Sequence, residues 1–187
     1  MTLAEKLLAI HARLDAGGFE HAFGGAIALA YWTLAPRATS DIDINIFAPS
    51  AQAQAALQEL PPEIVHDDDS AAQIASTGQA RLWWAQTPID LFFDYEQLHA
   101  DAARNRRFVA FAEAEIPVLG PVELACFKAV FDRTKDWADI EAMFAAETLD
   151  PDRLRSNLTR LLGADDHRLQ RVNEALRRAD AASPQNA

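Results

Sequence analysis

The sequence predicts an α/β (α+β) protein with a helical C-terminal portion. Up to about residue 120, segments with apolar residues at helical spacing alternate with short segments in which apolar and polar residues alternate. From Pro121 onward the patterns are helical only. The chain has 187 residues, half of them hydrophobic, which is enough for one domain with a core. We therefore predict an α/β core at 1–120 with a mixed sheet of three to five strands, a helical portion packed on it at 121–180, and a flexible tail at 181–187.

The elements of the α/β part follow from capping residues and periodicity. Thr2 and Glu5 form the pattern of a capping box, which predicts a helix through about Asp15 with Leu3, Leu7, Leu8 and Leu14 as its buried stripe. The later elements are predicted as an extended segment at 19–23, a helix at 26–34, a strand at 41–47, a helix at 50–60 with Ser50 as N-cap, a hairpin at 79–94, a helix at 96–103, and extended segments at 107–112 and 115–119. Asp67, Asp68 and Asp69 are expected to form a surface turn.

The C-terminal helices are predicted at 121–131, 136–147, 151–162 and 165–180. Pro121 suits the first turn of a helix, and Leu124, Phe127 and Phe131 recur at helical spacing. Lys128 lies within this apolar stripe, so it either extends its charge to solvent or answers a buried anion, and we favour the anion.

Composition and charge exclude several classes of protein. Residues 1–150 hold 23 Asp and Glu against 10 Lys and Arg, whereas residues 151–187 hold 7 Arg against 5 acidic residues. Such an acidic body disfavours tight non-specific binding of nucleic acid. The single cysteine, Cys126, excludes a disulfide framework and is expected to be a buried small hydrophobe. No apolar run reaches the ~20 residues of a membrane span, and the N-terminal pattern is not that of a secretory signal, so we expect a soluble cytoplasmic protein.

The pair Asp41 and Asp43 is the most informative feature. On a strand, residues two apart share a face, so these carboxylates repel each other unless a cation lies between them. Hard divalent ions such as Mg²⁺ take such oxygen ligands together with substrate phosphates. A calcium-binding EF-hand loop is excluded, because its required Gly and Glu positions are occupied here by Ile46 and Gln52.

Two further features support a phosphate-handling site. Gly24 and Gly25 follow a strand-like segment and open a helix, where a backbone without side chains can approach a phosphate, although a tight turn is the commoner use of such a pair. Asp90 lies on another predicted strand and is assigned to the site, whereas Asp94, nearer the strand end, is assigned to solvent. Three carboxylates on two strands beside a glycine turn suit two-metal phosphoryl transfer.

These pieces occur in the order typical of one superfamily. Gly24-Gly25, then Arg37-x-Thr39-x-Asp41-Ile-Asp43, then Ile89-Asp90-Leu91, resemble the nucleotidyltransferase (DNA polymerase beta-like) superfamily, in particular the small bacterial AbiEii and MNT toxin type. The run from Lys128 through Arg133, Lys135 and Asp136 to Asp139 resembles the C-terminal helical motif of that type. The resemblance covers residues 19–145.

The resemblance implies a mixed sheet flanked by helices and transfer of a nucleoside monophosphate from an NTP. Asp41 and Asp43 would hold Mg²⁺ or Mn²⁺, with Asp90 as third ligand or base. The implied nucleotide-binding or phosphate-binding residues are Gly24, Gly25, Arg37, Thr39, Ser40 and Lys128, with Asp136 orienting Lys128. The position after the first glycine, where the family often has Ser, is Gly25, which leaves only backbone donors there.

Other interpretations remain open for several residues. Arg37 would equally well form an ion pair with an acidic side chain without contacting nucleotide. Asp136 and Asp139 also suit the N-terminal turn of a helix. Of Trp83 and Trp84, which point to opposite faces of a strand, at least one is expected in the core.

The acceptor is not specified by the sequence, and a tRNA, a protein or a small molecule are all compatible with it. The expected partners are an NTP donor and a toxin or antitoxin protein, with no membrane. The alternative function is a non-catalytic partner protein of the same fold, and a third possibility is an unrelated acidic domain with chance motifs.

Overall fold

The computed structural model describes residues 1–34, 37–93 and 96–182. Within these ranges the chain forms two compact units. The first comprises Met1–Ile27 and Ala38–Leu119, and the second comprises Ala28–Arg37 and Gly120–Ala187. The predicted exposure of Asp94 and the predicted tail beyond residue 182 lie outside the described residues.

The first unit is built on a mixed β-sheet. Its elements are α1 (Leu3–Ala16), β1 (His21–Phe23), the start of α2 (Gly25–Trp32), β2 (Ile42–Ile46), a 3₁₀ turn (Ser50–Gln52), α3 (Ala53–Glu59), β3 (Ile64–Val65), α4 (Asp68–Thr77), β4 (Gln79–Trp84), β5 (Thr87–Phe93), α5 (Glu96–Asn105), β6 (Arg107–Phe111) and β7 (Ala114–Val118).

The sheet of the described residues has seven strands in the order β3-β4-β5-β2-β1-β7-β6. Strand β2 pairs with β5 in parallel and with β1 in antiparallel orientation, so the fold class predicted from the sequence is confirmed. The alternation in β2 and β5 turns one face of each strand inward, where six apolar side chains are fully buried. These are Ile42, Ile44, Ile46, Ile89, Leu91 and Phe93. The opposite face carries Asp43 and Asp90.

Several predicted elements are confirmed with small shifts at their ends. Helix α1 begins with the predicted capping box, in which the Thr2 hydroxyl accepts from the Glu5 amide and the Glu5 carboxylate accepts from the Thr2 amide. The predicted hairpin is β4 and β5, and its turn falls at Ala85 and Gln86, with Ala85 at φ +54°.

Other local predictions were wrong. The predicted sheet of three to five strands is too small, because the described sheet has seven, with β3 and the β6–β7 hairpin at its edges. Asp67 to Asp69 are not a turn: Asp67 is the N-cap of α4, and its carboxylate accepts from the Ser70 amide. Ser50 lies inside the 3₁₀ turn and makes no cap.

The buried face of α1 also differs from the predicted stripe. Leu7 and Leu14 are buried as expected, but Leu3 and Leu8 are only half-buried, whereas Lys6 and Ile10 are buried. The Lys6 ammonium is tolerated there because it donates to the Trp84 carbonyl at 2.9 Å and to the Thr87 hydroxyl at 2.8 Å.

The second unit is helical. After the end of α2 it contains α6 (Pro121–Phe131), α7 (Thr134–Ala145), α8 (Pro151–Leu162) and α9 (His167–Ala182), close to the predicted segments. Helix α6 contacts α7 and α8, and α9 contacts α7 and α8. Its core contains Cys126, which is fully buried as predicted. No helix in the described part of the chain is both long enough and apolar enough to cross a membrane.

Candidate nucleotidyl-transfer site

Asp43 and Asp90 are brought together by strand register. Their Cα atoms are direct partners in the parallel pairing of β2 with β5, and neighbouring strands lie about 4.8 Å apart. Both side chains leave the sheet on the same face, and both are half-buried. The fold therefore places two of the three predicted carboxylates side by side.

Asp41 precedes the first paired residue of β2 and is oriented by Thr39. The Thr39 hydroxyl donates to the Asp41 carboxylate. Thr39 was predicted to bind nucleotide; in the structure its contact is with the carboxylate that the resemblance assigns to the metal. Ser40, also predicted as a nucleotide contact, is exposed next to Asp41.

The two glycines lie against Asp43. The Gly24 amide donates to the Asp43 carbonyl at 2.9 Å, which fixes the end of β1 beside β2. Gly25 begins α2 with φ +51°, and a Cβ atom there would lie 1.8 Å from the Asp43 Oδ2 atom. Only glycine fits both the backbone conformation and this close approach. The first turn of α2 thus offers backbone N–H groups close to the carboxylate.

Arg81 is a residue of this site that the sequence analysis did not identify. It is the direct partner of Asp90 across the β4–β5 hairpin, and its Nε and Nη2 atoms each lie 2.7 Å from one carboxylate oxygen. The hydrogen bond to Asp90 and the Asp90 charge raise the pKa of Arg81, and the charges of Asp41 and Asp43 raise it further. All three carboxylates therefore lie within electrostatic reach of one guanidinium. The signal in the sequence was the spacing of the hairpin, which places residues 81 and 90 opposite each other once the turn is correctly located.

The three carboxylates differ in how far they are available to a divalent cation. In the described ranges, no group of three or more His, Cys, Asp or Glu side chains is arranged to hold a metal ion. Both oxygens of Asp90 accept from Arg81 instead. The donor set still fits Mg²⁺ or Mn²⁺, because these ions take one or two carboxylates and receive other ligands from substrate phosphates and water. Gly25 makes room for the Asp43 carboxylate, because a Cβ atom at this position would lie 1.8 Å from Asp43 Oδ2.

The second unit holds a separate cluster of charged residues. The Lys128 ammonium, on a side chain that is 7% exposed, donates to Asp139 Oδ2 at 2.6 Å. Arg37 donates to the same oxygen at 3.1 Å. Lys128 therefore answers a buried anion, and Arg37 pairs with an acid, as the residue patterns allowed.

Asp136 makes different contacts from those the resemblance implied. Its carboxylate accepts from the Arg133 side chain at 2.6 Å and from the Arg133 amide at 3.3 Å, which places it in the first turn of α7. The carboxylate next to Lys128 is that of Asp139, which the sequence analysis had treated only as a helix N-terminal charge or a motif position.

Trp83 and Trp84 lie on opposite faces of β4, as the alternation of a strand requires. Trp84 is 5% exposed and belongs to the core, whereas Trp83 is 47% exposed. Trp83 lies two residues from Arg81 on β4, on the sheet face that carries Asp90.

Known structures share this fold. An antigenic nucleotidyltransferase-like protein from Paracoccidioides brasiliensis is 16% identical, with a TM-score of 0.52, 94% of this chain covered and 92% of that one. The antibiotic-resistance factor ANT(2'')-Ia, whose solution structure is described as revealing substrate-regulated conformation dynamics, is 12% identical, with a TM-score of 0.50 and coverage of 96% and 93%. At such identities the likeness concerns the fold alone. No curated protein matches the sequence significantly.

The fold is that of nucleotidyltransferase-like proteins. The sequence matches the family model described as "Nucleotidyl transferase AbiEii toxin, Type IV TA system" over residues 12–186. The chain belongs to that family. It is thus a transferase of the nucleotidyltransferase class, and the resemblance inferred from its motifs is confirmed.

Proposed function

We propose that the protein transfers a nucleoside monophosphate from an NTP to an acceptor, in a reaction that depends on Mg²⁺ or Mn²⁺ and on Asp41, Asp43 and Asp90. The observation that carries this proposal is the register of β2 and β5, which sets Asp43 beside Asp90 on one sheet face. Two carboxylates placed side by side repel each other, and a bound cation would offset that repulsion.

The transfer forms one bond and breaks another. An acceptor oxygen or nitrogen bonds to the α-phosphorus of the NTP, the bond from that phosphorus to the bridging oxygen breaks, and pyrophosphate leaves with the electron pair while the acceptor loses its proton. A bound divalent cation would neutralise charge on the phosphates. Asp41 and Asp43 would hold it, with Thr39 fixing the orientation of Asp41. Asp90 would complete the ligands or take the acceptor proton.

The phosphates are proposed to lie at the start of α2. Gly24 and Gly25 put no side chain in the way, and the N–H groups of the first helical turn have no partner within the helix. Because Gly25 replaces a hydroxyl-bearing residue, the affinity for phosphate at this position comes from the backbone and the helix dipole. Lys128 remains a proposed phosphate contact, on the strength of the family motif.

The acceptor and the protein partner are proposed at a coarser level. The family comprises toxins of type IV toxin–antitoxin systems, so we propose that the chain is the toxin of such a system and that its activity is counteracted by an antitoxin. A tRNA, a protein or a small molecule would serve as acceptor. In this account, expressing the wild-type chain arrests bacterial growth, whereas expressing Asp43→Asn does not.

The nucleotide site is tested by thermal stability. Wild type and Asp43→Asn are unfolded with each of the four NTPs, with and without Mg²⁺. A ligand at about 100 times its dissociation constant stabilises the fold by about 2.7 kcal/mol, a shift of several degrees. We expect a shift that requires both NTP and Mg²⁺ and that Asp43→Asn abolishes.

Asp15→Asn is the matched control, because it removes one exposed carboxylate of the same unit without touching the three site residues. A metal-dependent shift retained by Asp43→Asn would contradict the site. No shift with any NTP would favour the alternative of a non-catalytic partner protein.

A further inference from the structure

The contact between Arg81 and Asp90 has consequences for how a cation reaches the site. We infer that Arg81 is a positioning residue that occupies the Asp90 carboxylate until a divalent cation displaces it, so that the guanidinium and the cation compete for the same two oxygens. This inference rests on the proposed function, because it concerns the same metal-binding carboxylates.

Both oxygens of Asp90 accept from Arg81. A bidentate guanidinium–carboxylate pair, here with both N···O distances at 2.7 Å, is among the stronger ion pairs because two charge-assisted hydrogen bonds act together. A cation that takes one of these oxygens as a ligand weakens that pairing, because it shares the oxygen's negative charge and repels the guanidinium. The competition follows from the positions of the donors and needs no movement of the strands.

The burial of the two partners makes the exchange feasible. The Arg81 side chain is 56% exposed, whereas that of Asp90 is 15% exposed. The arginine can therefore turn into solvent without disturbing the core, while Asp90 stays fixed on β5 beside Asp43. Solvent around the guanidinium weakens its hold on the carboxylate, whereas a divalent cation is bound by several oxygens at once.

The local charge supports the same conclusion. Asp41, Asp43 and Asp90 contribute three negative charges near one guanidinium, and all three act on the pKa of Arg81. In the absence of a cation, Arg81 thus stabilises the carboxylates against their mutual repulsion. Removing Arg81 frees the Asp90 oxygens, so that the site binds a cation more tightly.

The experiment measures binding of Mn²⁺ alone, followed by the EPR signal of the free ion. We expect Arg81→Gln to lower the Kd for Mn²⁺ about three- to tenfold, the fold-change that corresponds to one ion pair of this kind. Arg81→Lys keeps the charge but loses the two-pronged contact, so its Kd should fall between those of wild type and Arg81→Gln.

Two controls separate competition from a general effect of charge. In an Asp90→Asn background, Arg81→Gln should no longer change the Kd, because the oxygen for which the two cations compete has been altered. Arg13→Gln removes an equal charge from an exposed residue of the same unit that pairs with Glu59 instead, and it should leave the Kd at the wild-type value.

The outcomes distinguish this inference from the function on which it rests. If wild type binds Mn²⁺ and Arg81→Gln binds it equally well or more weakly, competition is refuted and the metal site stands. The same holds if Arg13→Gln tightens binding as much, or if the effect persists in Asp90→Asn. If none of the variants binds Mn²⁺, even with an NTP present, the metal dependence itself is refuted and the inference is overturned with it.

Discussion

Gly25 provides a sharp test of the site because its substitution affects Asp43 directly. In Gly25→Ala the new Cβ atom would lie 1.8 Å from Asp43 Oδ2 and 2.6 Å from its Cγ, well inside van der Waals contact. The carboxylate must therefore turn away by more than 1 Å. The left-handed backbone at φ +51° adds about 1–2 kcal/mol for a residue with a side chain, partly offset by a stiffer unfolded chain. Including the overlap, we expect a loss of about 2–4 kcal/mol in the free energy of unfolding.

Gly18→Ala is the matched control for this substitution. Gly18 also has a positive φ, +73°, but a Cβ atom there would meet nothing within 4 Å. It should therefore show the backbone cost of about 1 kcal/mol without the overlap. Urea unfolding measures both variants, and a titration with Mn²⁺ measures the state of Asp43.

We expect Gly25→Ala to be less stable than Gly18→Ala and to bind Mn²⁺ at least about tenfold more weakly than wild type, as happens when the surroundings of a metal ligand are disturbed. Equal stability of the two variants, together with unchanged Mn²⁺ affinity in Gly25→Ala, would refute the argument that Gly25 exists to accommodate the Asp43 carboxylate.

Two further predictions concern buried titratable side chains. Burial lowers the pKa of His21 from 6.5 to about 4, so the unfolded chain binds the proton more readily than the folded chain. The free energy of unfolding should therefore fall by about 3 kcal/mol as the pH falls from 6.5 to 4. Urea unfolding at a series of pH values should show a smaller fall in His21→Gln, and an unchanged fall would contradict this account. Lys128→Met should lower the free energy of unfolding by about 3 kcal/mol or more, because it removes the cation closest to buried Asp139. The double variant with Asp139→Asn should recover part of that loss, and a double variant less stable than Lys128→Met would contradict this account.

The helices and strands with strong local signals could be predicted from the sequence. The capping box at Thr2 and the alternation around Asp43 each involve neighbouring residues, so the local pattern specifies the element. The α4 helix was missed because Asp67 to Asp69 are equally suited to a turn and to a helix N-terminus, and the choice depends on packing around Ile74, the buried residue of that helix. The two-residue strand β3 is too short to carry a period, and it exists only because β4 offers an edge.

The sequence marked the residues of the candidate site, but it did not indicate their contacts. The spacing of Asp41 and Asp43 marked both as candidates, although Asp41 precedes β2, and the strand pattern and the family resemblance both pointed to Asp90. Asp43 and Asp90 are in register because β5 aligns with β2 in one particular way, although 46 positions separate the two residues. No local pattern encodes that alignment. Arg81 was missed for the same reason, because its role appears only when the hairpin turn is placed at Ala85. The pairing of Lys128 with Asp139 rather than Asp136 depends on how α6 and α7 contact each other.

Transfer of label from α- and γ-labelled NTPs tests the proposed reaction most directly. Wild type and Asp43→Asn are incubated with bacterial RNA, protein and small-molecule fractions, Mg²⁺ and each NTP carrying ³²P at either position. The account predicts that wild type attaches the α-phosphate label to one fraction, that the γ-label appears only in pyrophosphate, and that Asp43→Asn or removal of Mg²⁺ abolishes both. Attachment of the γ-label would mean phosphoryl rather than nucleotidyl transfer, and α-label transfer that persists in Asp43→Asn would contradict the assignment of the carboxylate site.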